Sequence, residues 1–157
     1  MIEPSYKTMD MDDVAPRFFN TGNIAIRGID PIGYFVSGGP VEGRREFSSE
    51  YLGFTFLHAS EENQRLFQSD PVRYAPQFGG YCAFAMSKGA VASTIPQAWN
   101  IEDVSTVPPD HEIHGDLLYL NYSLPVRDAW RADIEGNVAR AHSHWPEARY
   151  RYGPPRS

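Results

Sequence analysis

Phe54-Thr55-Phe56-Leu57-His58-Ala59-Ser60-Glu61-Glu62-Asn63 is the stretch on which the fold turns, because the apolar period changes inside it. Up to His58 the pattern alternates. Phe54 and Phe56 share one face of a strand, and Thr55 and Leu57 the other. From Ser60 the pattern is helical. Ser60 is placed as N-cap, Glu61 and Glu62 stand at the positive end of the helix dipole, and Leu66 and Phe67 supply an apolar side. The stretch reads as a strand that runs straight into a capped helix.

Upstream, Phe47 to Ser49 reads as the antiparallel partner of the Phe54–His58 strand, joined around Leu52-Gly53. Ile24-Ala25-Ile26-Arg27-Gly28 and Tyr34-Phe35-Val36 read as short strands, punctuated by Asp30-Pro31 and Gly38-Gly39-Pro40. Residues 1–20 are a polar lead-in, with a short helix predicted over Val14 to Phe19. Downstream, Asp70 is placed as cap and Pro71 at the first position of a second helical turn, Tyr74 and Ala75 pack inward, and Pro76 stops it. Gly79-Gly80 leads into the small apolar run Tyr81 to Met86. Trp99 to Ile101 and Leu117 to Tyr122 are predicted as a strand pair, separated by a loop over Glu102 to Asp116. Ser123 caps a helix through Val126, Trp130 and Ile134 that Gly136 breaks. A further helix over Asn137 to Trp145 ends at Pro146, leaving a loose tail from 147 to 157. The reading is small antiparallel sheet elements with packed helices, a C-terminal helical segment, and one main domain over 21–146.

Composition narrows the partners. The chain has 157 residues, 41% of them hydrophobic and 22% charged, enough for a packed core and too apolar for a disordered chain. The net charge of −6, with no basic block before the tail, argues against nucleic acid. No run reaches the ~18 apolar residues of a membrane span, and no signal peptide is seen, so the expected location is the cytoplasm. The one cysteine, Cys82, excludes an internal disulfide.

Cys82 is also the sharpest candidate for chemistry. It reads either as a small buried hydrophobe or as a thiolate that binds metal or attacks a substrate. Among five histidines, His111 and His114 have the His-x-x-His spacing that a loop can close on an ion, or they lie in a solvated loop. His142 and His144, two apart on a helix, diverge. His58 ends a strand and faces the core or a pocket. Aromatics make up 13% of the chain, and some buried Tyr hydroxyls are expected to edge a polar cavity. No Cys-x-x-Cys, His-Glu-x-x-His, Gly-x-Ser-x-Gly or phosphate-binding glycine loop occurs.

The order of the segments Asp30-Pro31-Ile32-Gly33-Tyr34-Phe35, Glu50-Tyr51-Leu52-Gly53, Phe56 to Asn63, and Phe67 to Ala83, with its Gly79-Gly80-Tyr81-Cys82-Ala83, resembles YHS-domain proteins of the stand-alone bacterial kind. Ala98-Trp99, Leu118 to Ser123, Ile134 to Ala139 and Trp145-Pro146 continue the likeness, which spans about residues 20 to 146. It implies a small α+β domain related to metal-associated modules beside heavy-metal transport ATPases. The cysteines of those relatives fall here on Gly33, Ala59 and Asn63, so their thiolate set is absent.

Three functions follow as expectations. The first is a metal-ion or cofactor-binding module for copper or iron, with metal ligands Cys82, His58, His111 and His114 and cofactor contacts Tyr81, Cys82, Tyr34 and Trp99. The second is a redox or metal-dependent enzyme or accessory subunit using Cys82. The third is a structural or interaction domain without a site, with a protein partner.

Overall fold

The computed structural model describes residues 3–8, 17–103 and 116–151, the last six of these as backbone only. The fold is α+β. A four-stranded sheet has the order β1 (Asn20–Thr21), β2 (Ile24–Ala25), β4 (Phe54–His58), β3 (Arg44–Tyr51). β2 and β4 run parallel and the other neighbours antiparallel. β5 (Trp99–Asp103) and β6 (Asp116–Leu120) form a separate antiparallel pair, as their sequence predicts.

The β3–β4 hairpin turns at Leu52 (φ 52°) and Gly53 (φ 87°), two left-handed residues that match the twist of a two-residue hairpin. α2 (Glu61–Ser69) then starts where its caps dictate, and Ser60 Oγ accepts from the N–H of Asn63 at 3.1 Å. Pro71 opens α3 (Pro71–Tyr74), but the Asp70 side chain makes no capping bond. Ser123 caps α5 (Leu124–Ala132), its hydroxyl accepting from the N–H of Val126.

Strand β6 joins two cores because its side chains alternate. Leu118 and Leu120 enter a cluster with Phe54, Phe56, Phe67 and Ile32. Leu117 and Tyr119 enter the other, with Phe78, Met86, Val126 and Trp130. α4 (Ala83–Ser87) and α6 (Ile134–Arg151) cover this second core. No helix among the described residues is long and apolar enough to cross a membrane.

Four local expectations are corrected. Tyr34-Phe35-Val36 is not a strand but the end of α1 (Pro31–Val36). Asp30 caps that helix by accepting from the N–H of Ile32 at 3.0 Å, and Pro31 occupies its first turn, where a missing N–H costs nothing. The strand from Ile24 ends at Ala25, since Ile26, Arg27 and Gly28 turn left-handed at φ 42°, 59° and 77°. The helix after Ser123 breaks at Asp133 rather than at Gly136. Asp133 leaves helical geometry (φ −143°, ψ 66°), its carbonyl takes the N–H of Asn137, and its carboxylate takes that of Gly136. Pro146 does not end α6, which runs to Arg151 without the one N–H bond that proline cannot make. Of the lead-in helix, Val14 to Pro16 lie outside the described residues, and Arg17-Phe18 form a bend. The predicted loop lies outside them over 104–115, and the tail over 152–157.

Candidate functional site

The buried polar centre of the sheet is a line of three side chains. Ser49 Oγ lies 2.7 Å from His58 Nε2, and His58 Nδ1 lies 3.0 Å from Asp30 Oδ1. Asp30 and His58 are wholly buried and Ser49 is 5% exposed. Three elements bring them together: Ser49 on β3, His58 at the end of β4, and Asp30 before α1. The second carboxylate oxygen of Asp30 accepts from the N–H of Ala59 and from Asn63 Nδ2, each at 2.8 Å. Ala59 and Asn63 are the positions that the YHS resemblance sets against thiolates, and here both serve the carboxylate. Burial opposes ionisation of Asp30. The hydrogen bonds from His58, Ala59 and Asn63 outweigh it and hold the carboxyl below the ordinary aspartate range.

Those partners assign the protons. An ionised Asp30 only accepts, so Nδ1 carries a hydrogen, and in the neutral tautomer that fits this bond Nε2 presents its lone pair. In that tautomer the Ser49 hydroxyl donates to Nε2. Both ring nitrogens of His58 are committed, which removes it from the expected metal set.

Cys82 lies in the other core, also wholly buried. It is the N-cap of α4, where its sulfur accepts from the N–H of Ala85 at 3.5 Å and its thiol reaches Asn121 Oδ1 at 3.5 Å. Asn121 Oδ1 also accepts from the N–H of Phe84 at 3.0 Å. Burial pushes the Cys82 thiol up, against the opposing N–H groups of Ala85, Tyr122 and Phe84. A protonated, enclosed thiol with its polar contacts filled does not fit a copper or iron ligand. His111 and His114 lie outside the described residues. No group of three His, Cys, Asp or Glu that could hold an ion occurs among those described.

The four expected cofactor contacts separate in the same way. Tyr81 sits beside Cys82 in the second core, its ring 6.0 Å from that of Phe19 and 6.4 Å from that of Trp145. Tyr34 and Trp99 do meet, with ring centroids 5.3 Å apart, and the Tyr34 hydroxyl donates to the carbonyl of Pro96 at 2.9 Å. Tyr34 is one wall of a cleft whose other sides are Phe19, Ile26, Thr94, Pro96 and Leu120, with Arg27 at the mouth. Its interior of about 10 Å³ suits one water or the tip of a small group.

Two left-handed turns build this cleft. Ile26 and Arg27 carry positive φ without being glycine, and Ile is β-branched, so the turn is held against its own preference. Across from it, Phe78, Gly79 and Gly80 turn at φ 57°, 66° and 79°. Thr94 Oγ1 ties the two regions by donating to the carbonyl of Gly80 at 2.7 Å. Arg27 Nε donates to the carbonyl of Thr94 at 3.2 Å, and its guanidinium stands 5.1 Å over the Phe19 ring. It has no carboxylate partner among the described residues.

Sequence reading missed Asp30 and Ser49 as site residues, and Arg27 and Asn121 altogether. Only Asp30 left a signal, the Asp-Pro pair, which marks a helix cap as readily as a turn. Comparison of the chain with family models, curated proteins and solved structures finds no match.

Proposed function

We propose that the protein is a cytoplasmic small-ligand-binding module of the YHS type, and that its ligand presents a compact anionic group, such as a carboxylate, to Arg27 at the mouth of the Tyr34 cleft. The observation that carries this reading is the exposed Arg27 guanidinium. It is steered by strained backbone, the Phe19 ring and the Thr94 carbonyl, and no acidic side chain among the described residues pairs with it, in a chain whose net charge is −6. The cleft behind it is too small to enclose a drug-sized molecule, so the rest of a larger ligand would lie on the surface.

Acetate, succinate and phosphate titrated into isotope-labelled protein test this by NMR. Saturable shifts at Arg27, Thr94 and Tyr34, weakened at least about tenfold in Arg27→Gln, support the reading. Shifts that never saturate, or that survive the substitution, end it. Copper(I), copper(II) and iron(II) added to the same sample, made without a histidine tag, test the metal reading, which rests on the YHS resemblance and on His111 and His114.

A further inference from the structure

We propose that Ser49 is a nucleophile, activated by His58 and positioned through Asp30, that takes up small activated acyl or phosphonyl groups, giving the chain an esterase-type activity separate from the anion cleft. The order of atoms is the one such chemistry needs: hydroxyl to Nε2, then Nδ1–H to carboxylate, at 2.7 and 3.0 Å. Asp30 is held by further donors from the Ile32 and Ala59 backbone and the Asn63 side chain, so it fixes the imidazole tautomer. With the hydrogen on Nδ1, the Ser49 hydroxyl donates a hydrogen bond to His58 and receives none among the described residues, which leaves its oxygen lone pairs free to attack.

The step balances without an outside oxidant or metal. Ser49 Oγ bonds to the acyl carbon, its proton moves to His58 Nε2, and the ester C–O bond breaks as that proton passes to the leaving oxygen. Water then attacks the acyl-serine, giving its proton to His58, and Ser49 recovers its hydrogen as the free acid departs. Access sets the size of the substrate. Ser49 is nearly enclosed, but β3 is an edge strand paired only with β4, and its register shifts between Arg44 and Ser48, next to the serine. Gln64 Nε2 on α2 donates to the carbonyl of Ser48 beside it at 2.6 Å, so only small reagents suit so enclosed a hydroxyl.

Incubation of the full chain with a small alkyl fluorophosphonate, followed by intact-mass measurement and peptide mapping, tests the proposal. The expected result is one adduct on Ser49, absent from Ser49→Ala and formed at least about 100-fold more slowly in His58→Gln. If His58→Gln does not fold, the wild-type labelling rate of Ser49 against that of the chain's exposed serines decides the matter. A folded wild-type protein that stays unlabelled at Ser49, a His58→Gln rate equal to wild type, or a Ser49 rate no faster than that of exposed serines overturns it.

Discussion

Asn121 holds Cys82 and the start of α4 with one oxygen, which lies 3.5 Å from the thiol sulfur and 3.0 Å from the N–H of Phe84. This pairing makes the cysteine a structural cap. Cys82→Ser keeps a capping atom, but the smaller hydroxyl reaches the Ala85 N–H and Asn121 Oδ1 less well than sulfur and leaves packing volume unfilled, at a cost of about 1–2 kcal/mol. Asn121→Ala strands the Phe84 N–H inside the core and should cost more, about 2–3 kcal/mol. Urea denaturation measures both. The thiol should stay unreactive toward Ellman's reagent until the protein unfolds; rapid modification of the native state would contradict the cap.

Asp30 predicts how the fold responds to acid. Its carboxyl titrates lower in the folded chain than the 3.8 of a free aspartate. The stability it contributes is therefore complete above about pH 4 and is lost as pH falls through the depressed folded value. Asp30→Asn should flatten that acid slope, and at pH 7 should cost about 3 kcal/mol, because an amide NH2 replaces one of the two oxygens, which accept from His58 and the Ile32 N–H and from the Ala59 N–H and Asn63. Thermal melts from pH 7 to pH 2.5 give both quantities, and equal slopes in the two proteins would remove Asp30 as the cause.

Glycine at 79 and 80 is required by space as well as by backbone. A Cβ on Gly80 would stand 2.6 Å from Ile26 Cγ2, and one on Gly79 would overlap the carbonyl oxygen of Arg17. Gly38 has an equally left-handed φ of 73° but open space around it. Gly38→Ala should cost about 1 kcal/mol, the conformational term alone. Gly80→Ala should cost about 3 kcal/mol or more, and Gly79→Ala should prevent folding, since backbone cannot give way. Similar melting temperatures for all three variants would contradict the packing.

Arg27 sets stability against binding. Its φ of 59° strains any side chain, so Arg27→Gly should raise stability by about 0.5–1 kcal/mol while abolishing the anion response. Calorimetry with and without succinate reads both effects together. A destabilised Arg27→Gly would show that the guanidinium contacts with Phe19 and Thr94 outweigh the backbone strain.

Tyr119 carries a buried hydroxyl without a hydrogen-bond partner among the described residues. Burial pushes that phenol well above its ordinary range, with the Glu102 carboxylate adding to the effect. Tyr119→Phe removes a desolvated group and no bond, so stability should hold or rise by up to about 1 kcal/mol. A clear loss in urea unfolding would reveal a partner for the hydroxyl.

Local rules alone determined much of this protein. The Phe54–His58 alternation, the Ser60 and Ser123 caps and the separate strands β5 and β6 follow from residues a few positions apart, whose preferences act before the chain is compact. The same rules erred at Tyr34–Val36, where Asp30-Pro31 capped a helix, and at Gly136, where the Asp133 side chain set the break. Only the tertiary structure decided the chemistry. Ser49 and His58 are 9 residues apart, His58 and Asp30 28, Cys82 and Asn121 39, and Arg27 and Thr94 67. A hydroxyl beside a ring nitrogen, or a thiol sealed beneath an amide, comes from packing that closes long loops. No spacing or composition along the chain encodes that distance directly.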